Sequence, residues 1–159
     1  MDFTLGTLLG FMAIGLAVIP GGYASSKAVG MVGRAGAGVI TEDPDKFGSI
    51  LILQALPGTQ GVYGFLTGLS IMVKIGVLGG SIQALTVNQG IMFILAAVPV
   101  AALGWLSAIF QGQVAASGVS IVAKRPEEMG KAVILAAMVE TYAVLALLAS
   151  LLMVLSINV

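Results

Sequence analysis

The chain has 159 residues, the size of one domain; 58% of them are hydrophobic and only 9% are charged. A soluble domain carries about 25% charged residues, so this chain has too little polar surface to meet water all round, and lipid is the solvent that fits it. Seven basic and seven acidic residues cancel, which leaves nothing to attract nucleic acid; there is no Cys for a disulfide or thiolate site and no His to serve as a general base or transition-metal ligand.

The first apolar run starts at about Phe3 and continues past Tyr23 as far as Ile40. The chain begins Met1-Asp2-Phe3-Thr4, with no basic segment ahead of that run, so it reads as a retained membrane span and not as a signal peptide. The polar stretch 41–46 leads into a second run over 47–77; a third covers 87–123, and after the charged stretch 124–128 a fourth continues to 156. Several exceed the roughly 20 residues that cross a bilayer and should tilt or project beyond it. The expected fold is an all-α membrane protein of four transmembrane helices, one membrane domain over 1–159. Lys46, Lys124, Arg125 and Lys131 gather at the 41–46 and 124–128 loops, with Arg34 just inside, while Lys74 lies toward the other side. Basic loops stay cytoplasmic, which places both loops inside a multi-pass cell-membrane protein and both termini outside.

The two halves read as copies, 1–80 and 81–159, each a helical hairpin. Pro44 and Gly48 match Pro126 and Gly130 at an offset of 82, as do Ile52-Leu53 with Ile134-Leu135 and Thr59 with Thr141. Before the loop the better offset is 85, aligning Gly33 with Gly118 and Ser26 with Gln111. An even number of spans separates equivalent points, so the copies run in parallel. Gly30, Gly33, Gly36 and Gly38, and Gly112, Ala115, Ala116 and Gly118, have neither the preceding strand nor the following helix of a nucleotide loop. Small residues at three- and four-residue spacing let membrane helices approach closely, so the first and third helices are expected to form a crowded inner layer.

Chemistry concentrates on Glu140, a carboxylate far from either end of its apolar run. A charge at mid-bilayer costs roughly 2.5–3.5 kcal/mol on insertion scales, so it marks a functional site by default. Glu140 is 14 residues beyond Pro126, Gln111 is 15 before it, and Gln60 is 16 beyond Pro44. At about 1.5 Å per residue all three lie roughly 21–24 Å from the same loop face. Leu56, Thr59, Gln60 and Tyr63 lie together on one helix face, and Pro57-Gly58 interrupts that helix just there. Pro57 has no N–H for the carbonyl of Leu53, and the distortion can free the carbonyl of Leu56; broken backbone at membrane depth is tolerated where it binds an ion or lines a cavity. The Leu56 carbonyl, the Thr59 hydroxyl, the Gln60 and Gln111 amide oxygens and the Glu140 carboxylate make a hard five-oxygen set. With one negative charge, a monovalent cation leaves it neutral and a divalent ion does not. A bare proton needs only the carboxylate, so Na+ fits best, with Tyr63 donating a hydrogen bond to Glu140. Lys27 is the other deep charge; it either faces anionic lipid head groups within an oligomer or snorkels from a helix end.

Leu56-Pro57-Gly58-Thr59-Gln60-Gly61-Val62-Tyr63, Phe110-Gln111-Gly112-Gln113 and Met138-Val139-Glu140-Thr141-Tyr142-Ala143 resemble the proteolipid (K- or c-type) family of rotary ATPases, in its bacterial V-type, sodium-translocating branch. The resemblance covers essentially the whole chain. It implies a homo-oligomeric ring with the first and third helices inside, and sodium held by Leu56, Thr59, Gln60, Gln111 and Glu140 with Tyr63 bonded to Glu140. It also implies a membrane stator subunit with a basic residue, central-stalk subunits and lipid as partners. Such a chain hydrolyses no ATP itself; it carries ions for a pump that does. Two other readings stay open on the residues: a rotor subunit of the same architecture that binds only H+, and a small drug/proton antiporter, which the 6% aromatic content and the lone Trp105 do not favour.

Overall fold

The structure, a computed structural model, describes residues 4–159, so the expected start at Phe3 lies outside the described residues. Helix α1 runs Leu5–Glu42 and is capped by Thr4, whose hydroxyl accepts the N–H of Thr7. It stops where Asp43 takes an extended conformation ahead of Pro44. A short 3-10 turn, Pro44–Lys46, reverses the chain. The return rod is broken: α2 is Phe47–Ala55, a 3-10 turn covers Leu56–Gly58, and α3 is Thr59–Lys74. Helix α4, Val87–Lys124, starts on a reciprocal cap in which the Thr86 hydroxyl accepts from Gln89 N–H and the Gln89 amide oxygen accepts from Thr86 N–H. It ends at Arg125, which leaves the helical conformation before Pro126, and the 3-10 turn Pro126–Glu128 leads into α5, Met129–Ser156.

Among the described residues, three helices are individually long and apolar enough to cross a membrane: α1, α4, and α5 with its leading turn. The fourth span is the α2–α3 rod, whose nine- and sixteen-residue pieces fall short singly. At about 1.5 Å per residue the 38-residue α1 and α4 are about 57 Å long, nearly twice the roughly 30 Å of hydrocarbon, so they project beyond it.

Helices α1 and α4 lie side by side at the centre. A methyl added at Gly112 would stand 2.6 Å from the Ala28 Cβ, and one at Gly6 would run into the backbone carbonyls of Leu85 and Thr86. Helix α3 sits on α1 through Gly21, Gly64 and Gly68, and α5 on α4 through Ala132 beneath Gly118. Small residues thus set the closeness of these three pairs. One apolar cluster, including Ala13, Ile71, Phe93 and Val154, fills the far end. Another, including Val32, Leu53, Val119 and Ala136, fills the hairpin-loop end. Between them lies a layer holding Ser25, Gln60, Ser107 and Gln111, all buried.

The halves superpose on one offset. α1 and α4, the two proline turns, and the ends at Lys74 and Ser156 are all displaced by 82 residues. The offset of 85 in the first helix is therefore corrected to 82: Gly30 pairs with Gly112, Gly36 with Gly118 and Ser25 with Ser107, while Gln111 pairs with Val29 and not with Ser26. Glycines recurring every third residue make a three-residue slip look nearly as good as the true register.

At the far end, Thr4 and Thr7 bond the backbone of Gln83 and Leu85, and the Lys74 ammonium donates to the Leu155 carbonyl at the end of α5. At the loop end Lys46 bonds the Ala123 carbonyl and pairs with Asp43, and Lys131 pairs with Glu128.

Candidate cation site

Pro57 builds one wall. The 3-10 turn it forces brings the Thr59 N–H and the Thr59 hydroxyl onto the Leu56 carbonyl, the latter at 3.1 Å. The Leu56 carbonyl is therefore not freed by the proline break as expected: the tightened turn gives it two donors from Thr59. The next residue, Gln60, turns inward and is fully buried. Its Nε2 donates to Gln111 Oε1 at 2.5 Å and to Ser107 Oγ at 3.2 Å. Gln111, also fully buried, donates from Nε2 to Glu140 Oε2 at 3.3 Å. The other carboxylate oxygen accepts from the Tyr63 hydroxyl at 2.5 Å. Tyr63 is one turn beyond Gln60, so α3 supplies both.

The side chains of Gln60, Gln111, Glu140 and Tyr63 thus form one connected network across α3, α4 and α5, and Leu56 and Thr59 begin the α3 face that carries it. Among the described residues no three His, Cys, Asp or Glu side chains come together, so the donors are one carboxylate and neutral oxygens. Charge-assisted hydrogen bonds from Tyr63 and Gln111 suit an anionic Glu140, which is only partly buried and opens on a groove along α5 lined by Ala137, Thr141, Val144 and Leu145. Gln60 Oε1 is different: it is buried and has no hydrogen-bond partner among the described residues. Leaving an acceptor so costs about 1–3 kcal/mol, and a cation beside it would remove that cost.

Lys27 and Ser26 sit on an exposed face of α1, outside this network. Ser107 belongs to it and was not singled out by the sequence. Its hydroxyl accepts from Gln60 and donates to the Val139 carbonyl at 3.0 Å. The available signal was its place four residues before Gln111, on the same face of α4.

The family profile of the ATP synthase C subunit matches the chain twice, over residues 12–71 and 94–153. The chain belongs to the ATP synthase C-subunit family. Along 98% of its length it is 46% identical to the V-type sodium ATPase subunit K of Enterococcus hirae, covering 99% of that protein. It is 39% identical over 150 residues to the A-type ATP synthase subunit K of Methanocaldococcus jannaschii, covering 94% of this chain and 63% of that one. This member of the C-subunit family is an integral membrane protein and a non-catalytic, ion-translocating rotor component.

Each matched segment holds one hairpin, yet only the second carries a carboxylate at membrane depth. Position 58, equivalent to Glu140, is Gly, and a Cβ there would meet only Val29. Thr141 and Tyr142, equivalent to Thr59 and Gln60, point outward. This C-subunit chain thus carries one such carboxylate for four spans.

Proposed function

We propose that the ion moved by this V-type rotor component is Na+, held by the Leu56 carbonyl, Thr59, Gln60, Gln111 and Glu140, with Tyr63 orienting the carboxylate. The observation that carries the reading is the orphaned Gln60 Oε1. A proton on Glu140 gives that oxygen nothing, whereas a metal cation satisfies it. The Enterococcus hirae relative, part of a sodium ATPase by name, supports the same choice.

The cycle follows from electrostatics. Without a cation Glu140 is an anion and cannot cheaply face lipid. Loading Na+ neutralises it and lets that face of the ring pass through the bilayer. At the stator, a basic residue of the membrane partner competes for the carboxylate and expels the ion. Central-stalk subunits transmit the torque of ATP hydrolysis to the hairpin loops, which lie in the cytoplasm with both termini outside. Moving one charge against 100 mV costs about 2.3 kcal/mol, within reach of a pump that moves several ions per ATP. The whole chain acts as one membrane domain of two hairpins, 1–80 and 81–159.

Carbodiimide modification of Glu140 tests the ion. The reagent attacks the protonated carboxyl, and bound Na+ keeps protons off it. At fixed pH, millimolar Na+ is expected to slow labelling at least tenfold, and the protection is expected to weaken as pH falls and protons compete. Labelling that ignores Na+ would leave a proton-only rotor.

The internal repeat predicts how copies meet in the ring. Within the chain, Ala28 of α1 packs over Gly112 of α4. Their equivalents at the offset of 82 are Phe110, which is 53% exposed, and Gly30, which faces open space. Phe110 of one copy therefore covers Gly30 of the next. Phe110→Ala is expected to lower the temperature at which the detergent-extracted ring dissociates by several degrees, while the helical signal of each protomer is retained. An unchanged dissociation temperature would place the contact elsewhere.

A further inference from the structure

Glu140 and its neighbour Val139 are the two ends of one closed hydrogen-bond circuit. From the Glu140 carboxylate it passes to Gln111 Nε2, from Gln111 Oε1 to Gln60 Nε2, from Gln60 Nε2 to Ser107 Oγ, and from the Ser107 hydroxyl to the Val139 carbonyl. Both end groups can only accept. The direction of a buried Gln amide is set by its partners, since its oxygen accepts and its nitrogen donates.

The two ends are not equal. During transport Glu140 gains and loses a cation, and at the stator it meets a foreign cationic group. Its grip on Gln111 is therefore interrupted in each cycle. The Val139 carbonyl does not change. Because Ser107 has one hydrogen and gives it to Val139, its oxygen can only accept toward Gln60. That requires an N–H of Gln60 at this point and turns Gln60 Oε1 away from Ser107 and Gln111. A reversed Gln60 amide would set its oxygen against Gln111 Oε1 and Ser107 Oγ, neither of which has a hydrogen to offer. It would also aim two N–H groups where the free acceptor now stands.

We propose that Ser107 is a positioning residue that holds the Gln60 amide with its oxygen free for the cation, and so sets the preference of the site for a metal cation over a proton alone. This rests on the sodium reading above. Ser107 is 4% exposed and within the network bonds only Gln60 and the Val139 carbonyl, so it acts through Gln60 and does not itself ligate.

The test uses rings purified from the intact ATPase, with wild type, Ser107→Ala and Ser107→Thr compared by carbodiimide labelling of Glu140 against Na+ concentration and pH. Ser107→Ala is expected to need at least tenfold more Na+ for half-protection, with its sodium-free labelling rate against pH unchanged. Ser107→Thr, which keeps the hydroxyl, is expected to stay within about twofold of wild type. A parallel change in sodium protection and in the sodium-free pH profile would mark general damage to the site and overturn the proposal. So would half-protection of Ser107→Ala at the wild-type Na+ concentration. Absence of sodium protection in wild type would instead sink the sodium reading, and this inference with it. If Ser107→Ala fails to assemble, the shape-matched pair Ser107→Thr and Ser107→Val carries the same comparison, with loss of protection expected only in the Val variant.

Discussion

Glu140→Gln is expected to leave the ring assembled and to abolish sodium uptake by the ATPase that contains it. The amide matches the carboxylate in size and can still accept from the Tyr63 hydroxyl, which bonds Glu140 Oε1. The buried face of α5, which carries Ala132, Ala136, Ala143 and Ala146, is untouched. What disappears is the one charge that neutralises the ion. A loaded site would then carry +1 into lipid at a cost of roughly 2.5–3.5 kcal/mol on insertion scales, which is about a hundredfold in occupancy at about 1.4 kcal/mol per tenfold. Each copy in the ring must load for its passage to carry an ion, so a hundredfold loss per copy stops transport. ATP-driven 22Na+ uptake into vesicles, with native mass of the extracted ring as the control for assembly, reads both halves of the expectation. Uptake within tenfold of wild type would mean that another group carries the charge. Glu140→Asp keeps the charge but shortens the arm by one methylene, so Tyr63 and Gln111 cannot both keep their bonds. Its half-saturating Na+ is expected to rise about tenfold, the loss of one hydrogen bond to a charged group.

The helices were legible because their signals are physical and local. Apolar runs of this length have one use, and a residue before proline that leaves the helical conformation ends a helix, at Asp43 and at Arg125 alike. The site was legible because polar groups at membrane depth are expensive and few, so Gln60, Gln111 and Glu140 stood out, and counting from two prolines placed them at one level. Ser107 escaped because a lone serine costs little in a helix rich in small residues; its role depends on which groups surround it, and sequence does not print neighbours across helices. The slip of three residues in the first hairpin has the same root. Glycine carries almost no identity, and a row of glycines fits itself in more than one register until tertiary contacts such as Ala28 on Gly112 choose one. The direction of the two Gln amides was likewise invisible, since the acceptors that fix it, a carboxylate and a backbone carbonyl, lie on another helix.

Gly64→Val is expected to prevent ring formation, although the substitution touches none of the polar groups. Gly64 lies one turn beyond Gln60 on the buried face of α3, and a Cβ there would collide with the Ala17 carbonyl oxygen of α1, with the Ala17 carbonyl carbon and the Val18 Cα close behind. These are backbone atoms and cannot rotate aside, so α1 and α3 must separate. Separation at this level also pulls the Gly61 N–H from the Ser25 hydroxyl, a 2.9 Å bond, and shifts Gln60 relative to Gln111. Overpacking of this kind costs about 1–3 kcal/mol where side chains can adjust and more where they cannot, so at least about 3 kcal/mol is expected here. Gly58→Ala is the control: its Cβ would meet only the Val29 Cγ2 at 3.7 Å, an ordinary contact, and in a helical conformation Ala is favoured over Gly by up to about 1 kcal/mol. The dissociation temperature of the detergent-extracted ring should therefore be unchanged or raised for Gly58→Ala, while Gly64→Val yields no ring. A Gly64→Val ring as stable as wild type would refute the close approach of α1 and α3. That approach is what brings Gln60 within reach of Gln111, so the glycines of α3 govern the polar network as much as the residues that form it.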